Sequence, residues 1–314
     1  MFPYNLNSLY TAITEPSKFL YEFPLIGKLI VGTATNLAFG CEDFLDADWD
    51  NLIILDACRP DKFEKINDIS GDYHIKISKG ASSNEFFIRN MLGCKYYETV
   101  YVTGNTSVEK VQDSLYNVVK TYADRGEYKK GWAPDITYEA AVKANLDFPN
   151  KRLVVHFMQP HTPYLGPLAR DLRKQVSNRY EVEFVEITNI GDSNITNSNV
   201  QIKSLLHAFK KGYINKSELE IVYEENLELV LRYVKKLLPK LVGKTVVTAD
   251  HSESFGDYKS IIGHRDWAFS SSMREVPWLV RDGRRKSITK GEPLQKSHAN
   301  QEIIEQNMRE LGYL

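Results

Sequence analysis

Four short segments that end apolar runs with metal-binding residue types constrain this chain more than any other feature. They are residues 51–61 (NLIILDACRPD), 154–164 (VVHFMQPHTPY), 245–254 (TVVTADHSES) and 262–267 (IGHRDW). Three of them predict buried parallel strands, which place Asp56, His161 and the pair Asp250 and His251 just past their C-terminal ends. Open α/β sheets bind ligands at that edge. Since carboxylate and imidazole suit a divalent metal, the pattern indicates a metal site.

The composition is that of an ordinary globular protein. The chain has 314 residues, of which 42% are hydrophobic and 26% charged, so it can form one large α/β domain or two smaller ones. Lysine plus arginine number 40 against 41 acidic residues, which gives a net charge of -1. This balance provides no overall attraction to nucleic acid, so we expect no nucleic-acid partner.

The cysteines and the N-terminal region bear on location. Cys41, Cys58 and Cys94 are an odd number without CxxC spacing, which favours a reducing compartment, and we expect the cytoplasm. The apolar stretch 23–40 contains Lys28 and three polar residues, so we expect neither a transmembrane span nor a signal peptide. This stretch either packs onto the domain, which the pattern favours, or contacts a membrane surface.

The order of apolar patterns predicts the fold class. Apolar, β-rich runs alternate with segments of helical periodicity. The runs are 52–55, 99–103, 153–158, 245–248 and 276–280, and the helical segments are 108–123, 137–146 and 219–238. Such alternation is typical of a doubly wound, mostly parallel sheet flanked by helices.

We divide the chain into three parts on this pattern. Residues 1–50 are expected to form a helical and irregular wrap, 51–284 the main domain, and 285–314 a tail with a short amphipathic helix. The pattern weakens at about 168–216, where the tract NIGDSNITNSN (189–199) is polar and rich in turn residues. We interpret this region as an insertion. It either borders the site as a lid or is a solvent loop without a special role.

Asp56 follows a buried strand, where an unpaired carboxylate is costly to desolvate and a metal would relieve the cost. This segment alone leaves open that Asp56 caps the next helix. Asp250 and His251 are stronger evidence, because two neighbouring side chains at a strand end can both reach an ion where the backbone turns. His161 and His264 are further candidates. Together with His156, four of the seven histidines fall in these segments, which favours a functional cluster.

These motifs resemble the alkaline phosphatase superfamily, in its sulfatase-like branch. Members have a strand ending in a metal-binding Asp, often followed by Arg and Asp as in DACRPD here, and a later strand ending in Asp-His. ADHSE differs from the common ADHGE only at Ser252, while PHTPY and IGHRD look like the elements that complete the metal and phosphate site. The resemblance covers residues 51 to about 280, without 168–216. It implies an alkaline phosphatase-like fold for the main domain and makes that domain catalytic.

The resemblance also implies a ligand set. Asp56, Asp250 and His251 would hold one divalent ion, and His161 and His264 would hold a second ion or contact the transferred group. Oxygen and nitrogen donors without thiolate admit zinc, manganese or magnesium; we expect zinc or manganese, as one or two ions.

Members of this family use a nucleophile bound to the first metal, some tens of residues after the first Asp. Ser83 is our choice, because Gly80 gives a turn and Ser82, Ser83 and Asn84 suit the start of a helix. We therefore expect Ser83 to be both nucleophile and metal ligand, with Ser82 as the second candidate. Both serines could instead serve only as helix caps.

Cys58 needs separate treatment, because CRPDK nearly matches the Cys-x-Pro-x-Arg signature of formylglycine sulfatases. The segment ends in Lys62 instead of Arg, and Cys58 lies two residues from Asp56, too close for a separate nucleophile. We interpret Cys58 as structural, which favours phosphoester over sulfate-ester chemistry.

Several polar residues are candidates for substrate binding. Relatives acting on phosphodiesters often place an Asn where Asn105 stands, although a turn residue is the common role of such an Asn. Arg59, Arg265 and His161 could bind an anionic group. Glu253 could orient a ligand histidine.

The sequence thus predicts a metal-dependent phosphoester hydrolase or phosphotransferase, with a phosphodiester as the favoured substrate. The substrate would be an anionic small molecule or a glycan- or lipid-linked phosphoester. The alternatives left open are a sulfatase or phosphonate hydrolase of the same superfamily and a degenerate member that binds a polyanion or glycan. Hydrolysis and transfer are not separated, and the oligomeric state is not fixed.

Overall fold

A seven-stranded sheet forms the centre of the described residues, which in this computed structural model are 16–121, 133–185, 200–258 and 261–294. The strands, in chain order, are β1 Asn51–Asp56, β2 Asp72–Ile77, β3 Tyr96–Thr103, β4 Leu115–Lys120, β5 Arg152–Pro160, β8 Thr245–Thr248 and β11 Glu275–Arg281. Their spatial order is β2-β11-β8-β1-β5-β3-β4. β1 pairs in parallel with β8 and β5, and β3 in parallel with β5 and β4, whereas β11 runs antiparallel to both of its neighbours.

Helices lie against this sheet, and smaller strand pairs lie beside it. The helices are α1 Pro16–Phe39, α2 Pro60–Ile66, α3 Ser83–Met91, α4 Pro134–Asp147, α5 Pro167–Tyr180, α6 Leu205–Lys210 and α7 Lys216–Leu237. The two-stranded sheets are β6 Val182–Phe184 with β7 Val200–Ile202, and β9 Ser254–Tyr258 with β10 Ile261–Gly263. The doubly wound, mostly parallel α/β fold predicted from the sequence is therefore confirmed.

The central strands are apolar on both faces because both faces are covered. All residues of β1 and β8 are buried, and in β5 only Arg152 is partly exposed. Helix α7 packs on β5 and on α4. It starts with a capping box, in which the Asn215 side chain accepts from the Glu218 N–H and the Glu218 carboxylate accepts from the Asn215 N–H. Parallel pairing of β1 with β8 and β5 places the C-terminal ends of these strands side by side.

One predicted helix is wrong. Residues 108–123 were expected to be helical, but a short 3-10 helix, Thr106–Ser114, is followed by strand β4 within the described residues. The β4 sequence LYNVVK contains adjacent valines, and β-branched side chains fit a pleated surface better than a helix. Strand β2 was not predicted, because it lies at the sheet edge with mostly exposed or half-buried residues and so lacks a buried apolar run.

A second hydrophobic cluster lies outside the main core and organises part of the predicted insertion. Its buried residues come from α5, β6, β7, α6 and the start of α7, and include Tyr164, Tyr223 and Phe255. The described parts of 168–216 are thus packed on a core of their own beside the sheet. The tract 189–199 and the predicted tail helix at 300–314 lie outside the described residues, as do residues 1–15 of the predicted N-terminal wrap.

Candidate active site

The candidate site lies at the C-terminal edge of the parallel strands. Asp56 is the last residue of β1, and Asp250 and His251 follow β8, which is the neighbour of β1. His161 follows β5 on the other side of β1, and Asn105 follows β3. Because neighbouring parallel strands end at the same edge, residues far apart in the chain meet there.

Ser83 lies at the centre of this group. It is the first residue of α3, and its Oγ lies 2.6 Å from Asp250 Oδ2, 3.2 Å from Asp56 Oδ2 and 3.4 Å from His251 Nε2. At the helix N-terminus, the free N–H groups favour negative charge on that oxygen. The four side chains that the sequence assigned to the first ion therefore converge on one point.

The backbone around the carboxylates is adapted to hold them. Ala57 has φ 59°, an uncommon conformation for a residue with a Cβ, and its N–H donates to Asp250 Oδ1 at 3.1 Å. The N–H of His251 donates to the same oxygen at 2.9 Å. These bonds leave the second oxygen, Oδ2, to face Ser83.

Three histidines are each held through Nδ1 by a neighbouring acceptor. The Nδ1 atoms of His161 and His251 lie 2.6 and 2.8 Å from the carbonyls of Thr162 and Ser252. A carbonyl only accepts, so Nδ1 is the donor in these bonds, and Nε2 is the nitrogen on the side of the site. His264 is held in the same way by Glu253, at 3.2 Å between Nδ1 and Oε1. Such anchoring is typical of metal-binding histidines.

His161, Glu253 and His264 form a second group next to the first. One donor atom of each lies within 4.8 Å of the others, and the His251 and His264 rings are 4.4 Å apart between centroids. The sequence assigned His161 and His264 to a second ion or to the transferred group. Glu253, which was predicted only to orient a histidine, is buried, and its carboxylate is a further possible metal ligand in the same group.

His156 is the site residue that sequence reasoning did not assign. It is fully buried in β5, with Nε2 3.6 Å from Asp250 Oδ2 and 3.8 Å from Asp56 Oδ2, while Nδ1 lies 2.9 Å from the Tyr101 hydroxyl. A histidine within an otherwise apolar central strand was the available signal. Only the strand register, which places His156 near the end of β1, reveals that this histidine belongs to the site.

Ser82 has a different role from Ser83. Its hydroxyl accepts from the Glu85 N–H as the cap of α3 and donates to Asp266. The other Asp266 oxygen accepts from the Asn84 side chain at 2.8 Å. One carboxylate thus holds both neighbours of Ser83. The structure places Ser83, and not the second candidate Ser82, against the metal-ligand candidates.

Glu85 fixes the segment that carries Asp266. Its fully buried carboxylate accepts from the N–H groups of Ala81 and Trp267, at 3.1 and 3.0 Å, and from the guanidinium groups of Arg89 and Arg274, both at 2.9 Å. The loop before α3 and the loop after His264 are therefore held by one buried charge.

The substrate-binding candidates fall in different surroundings. Asn105 is buried and its Nδ2 donates to Asp56 Oδ2 at 3.1 Å, so it lies in the site. Arg265 is exposed and follows His264 directly. The Arg59 guanidinium donates through all three nitrogens to Asp61, Asp257 and the Glu253 carbonyl. Arg59 is thus engaged in ion pairs with Asp61 of its own segment and with Asp257 of β9.

Cys58 is fully buried, and burial raises the pKa of its thiol well above the ordinary value. A thiol of this kind is unreactive, because the nucleophilic form is the thiolate. The structural role expected for Cys58 agrees with this environment.

The donor set fits a divalent cation. Asp56 Oδ1 and His156 Nε2 are buried without a hydrogen-bond partner. Two buried carboxylates, Asp56 and Asp250, meet around one hydroxyl, an arrangement that repels itself unless positive charge is present. Asp56, Asp250, His251 and Ser83 would hold one ion, with His156 beside them, and His161, Glu253 and His264 offer donors for a second.

The pKa values of Asp56 and His251 reflect the same requirement for positive charge near the two carboxylates. Burial opposes ionisation of Asp56, but the imidazoles of His161, His251 and His156 outweigh it and hold its pKa below the ordinary value. Burial likewise disfavours charged His251, yet Asp250 and Asp56 raise its pKa to about 10. A proton on His251 therefore takes the place that a metal ion would otherwise occupy.

Comparisons with known proteins give matches among solved structures only. No protein-family model and no curated protein matches the sequence. The structure is similar to the integral membrane protein lipooligosaccharide phosphoethanolamine transferase A (EptA) from Neisseria meningitidis, with 14% identity and a TM-score of 0.48, over 74% of this chain and 47% of that one. The chain therefore spans about half the length of EptA.

Two further matches are related domains. The C-terminal periplasmic domain of phosphoethanolamine transferase EptC from Campylobacter jejuni matches with 14% identity and a TM-score of 0.44, over 74% of this chain and 78% of that one. The C-terminal periplasmic domain of EcEptC from Escherichia coli, in complex with Zn, matches with 12% identity and a TM-score of 0.39, over 77% of this chain and 75% of that one. Sulfatases also match.

The three named structures are at most 14% identical to this chain and have TM-scores below 0.5, so they carry no argument about its family or activity. The chemistry of the site is argued from the residues of this chain. None of the helices in the described residues is long and apolar enough to cross a membrane.

We predict that metal affinity falls as the pH is lowered. Because the pKa of His251 is raised to about 10 without metal, binding must release its proton at any lower pH. We expect the dissociation constant for Zn²⁺ or Mn²⁺ to rise up to about tenfold per pH unit between pH 8 and 6, with release of about one proton from this residue. Titration calorimetry in buffers of different ionisation enthalpy measures both quantities.

Asp250→Asn is the matched variant for this measurement, since it keeps the shape and removes one charge. We expect it to lose most of the metal affinity. Binding without proton release, or wild-type affinity of Asp250→Asn, would contradict the assigned ligands.

Proposed function

We propose that this chain is a metal-dependent phosphoester hydrolase or phosphotransferase with Ser83 as its nucleophile. The observation that carries the proposal is the position of Ser83 Oγ, within 3.4 Å of Asp250, Asp56 and His251 at the N-terminus of α3. A serine used only as a cap does not need two buried carboxylates at its hydroxyl.

The groups around Ser83 prepare its oxygen for attack. Asp250 and Asp56 orient the hydroxyl and can take its hydrogen bond, while the helix N-terminus favours the charge that develops on it. When bound, a divalent ion would lower the pKa of the hydroxyl and neutralise charge on the phosphoryl group. The zinc complex of an EptC domain supports zinc as the first ion to test.

The second group and Asn105 face the remaining side of the site. His161 and His264, with Nδ1 anchored, can bind a phosphoryl oxygen or a second ion through Nε2. Asn105 Nδ2 can donate to a non-bridging oxygen, since its present acceptor, Asp56 Oδ2, would turn to a bound cation. Attack would break the ester bond and leave a phosphoserine, which water or an acceptor hydroxyl then resolves.

A phosphoester suits this site better than a sulfate ester. The sulfatase alternative requires conversion of a cysteine to formylglycine, and Cys58, the cysteine in the matching segment, is buried with an unreactive thiol. The proposed substrate is an anionic small molecule or a phosphoester linked to a glycan or lipid.

We also propose a cytoplasmic location, with peripheral contact to a membrane surface as an option for α1. The support is that Cys41, Cys58 and Cys94 are all free thiols, as is typical of a reducing compartment. The EptC domains among the matches are described as periplasmic, so on this point the proposal differs from these structural neighbours.

We predict that Ser83→Ala lowers kcat by about a thousandfold or more on 4-nitrophenyl phosphate or bis(4-nitrophenyl) phosphate with metal bound, because the attacking atom is lost. Ser82→Ala is the matched control. It loses a cap worth about 1 kcal/mol of stability but should keep activity within about tenfold. Mass spectrometry of the quenched wild-type reaction should find phosphate on Ser83.

Wild-type activity of Ser83→Ala, alongside loss of activity in Asp250→Ala, would refute the proposed nucleophile. Hydrolysis of 4-nitrophenyl sulfate in place of the phosphoesters, with formylglycine at Cys58, would establish the sulfatase alternative. A protein that gains no thermal stability from zinc, manganese or magnesium would support the non-catalytic alternative.

We predict that Asp266→Ala lowers kcat by about ten- to hundredfold with little change in KM, because the carboxylate holds both neighbours of Ser83 and touches no substrate. Asp72→Ala, at an exposed carboxylate paired with His74, is the control and should leave kcat unchanged. Steady-state kinetics and a thermal unfolding curve for each variant separate loss of positioning from loss of fold. An equal rise in KM, or unchanged kcat, would contradict this role.

A further inference from the structure

Helix α6 brings a lysine to the rim of the second histidine group. The helix is held by the second hydrophobic cluster through Leu205, Leu206 and Ala208, all buried. It packs on β10, which ends at Gly263, directly before His264. The region that the sequence marked as an insertion is thus fixed against the candidate site.

The Lys210 ammonium lies over Gly263. A methyl group on Gly263 would meet Lys210 Nζ at 3.2 Å and Glu253 Oε1 at 3.7 Å. Glu253 is the carboxylate that anchors His264. Lys210 Nζ and Glu253 Oε1 therefore both lie within 4 Å of one point beside Gly263, yet no ion pair joins Lys210 and Glu253. Gly263 also has φ 92°, so both the backbone and the space favour glycine there.

The side chains near Lys210 in the sequence are positively charged. In the part of the chain that the structure describes, the ammonium groups of Lys203, Lys210 and Lys211 have no acidic partner. Partial burial lowers the pKa of His207, and the charges of Lys211, Lys203 and Lys210 lower it further, which agrees with a concentration of positive charge at this helix. The acid of β9, Asp257, is already paired with Arg59 and Lys216.

We propose that Lys210 forms an anion-binding subsite beside His161, Glu253 and His264, which holds a second negatively charged group of the substrate. The substrate would then be a phosphoester that carries a further phosphate or carboxylate. This inference rests on the proposed function, because it assumes that the reacting phosphoryl group binds at Ser83. A charged second group binds strongly here because both ends of the ligand are fixed at once.

Lys211 provides the matched control. It is the next residue, it carries the same charge and is exposed like Lys210, and no contact places it at Gly263. A diffuse electrostatic effect would involve both lysines equally, since they share the same long-range field. A subsite requires Lys210 alone.

Binding of two nonhydrolysable phosphonates tests the subsite without turnover. Propylphosphonate and 2-carboxyethylphosphonate are similar in shape and differ by one terminal charge. On zinc-loaded protein we expect Lys210→Ala to weaken binding of the carboxyethyl compound by about tenfold and that of the propyl compound by less than about twofold. Lys210→Arg should keep most of the affinity, and Lys211→Ala should match the wild type. Titration calorimetry measures each constant.

A turnover experiment separates this inference from the proposed function. The substrates are 4-nitrophenyl phosphodiesters whose second ester group is propyl or 2-carboxyethyl. Lys210→Ala should raise KM for the charged ester by about tenfold, with kcat for the propyl ester unchanged. Wild-type activity of Ser83→Ala would refute Ser83 as the nucleophile. The subsite at Lys210 would then be tested by the phosphonate binding measurements alone.

The subsite is refuted if the wild type binds both phosphonates equally, or does not bind the carboxyethyl compound. It is also refuted if Lys211→Ala loses as much affinity as Lys210→Ala. Loss for both compounds in Lys210→Ala would indicate damage to the site itself, which a changed unfolding temperature would reveal, and would likewise overturn the assignment.

Discussion

The close approach of two buried carboxylates, Asp56 and Asp250, is the constraint on which the rest of the site depends. They share the Ser83 hydroxyl, and both are almost fully buried. Such a pair is stable only with positive charge beside it, from protonated imidazole or from a metal ion. The raised pKa of His251 and the unpaired Nε2 of His156 are both consequences of this one arrangement.

The fold supplies this arrangement with little additional structure. Three adjacent parallel strands, β8, β1 and β5, end at one edge and deliver acids and histidines there. Backbone carbonyls, which are always available at such an edge, then fix the Nδ1 side of His161 and His251. Their Nε2 atoms are therefore directed by the main chain rather than by further side chains, which makes the ring orientation part of the fold.

Elements outside the central sheet complete the site from two sides. On one side, Glu85 and Asp266 connect helix α3 with the loop that follows His264, so Ser83 and the second histidine group are held together. On the other side, the second hydrophobic cluster fixes α6 and Lys210 near Gly263. The first connection sets the position of Ser83, and the second brings a lysine to the edge of the candidate site.

The sequence by itself determined the fold class and the convergence of Asp56, Asp250 and His251, because buried parallel strands must be apolar throughout and polar residues at their ends then stand out. The resemblance to the alkaline phosphatase superfamily, together with residues that suit a helix start, led to Ser83 as first choice and Ser82 as second. Only the tertiary structure decided the helix-to-strand change at Leu115, the edge strand β2, and the positions of His156, Asp266 and Lys210. Strand register, sheet edges and long-range contacts fix these features, and a local pattern contains no information about which distant segment a side chain will meet.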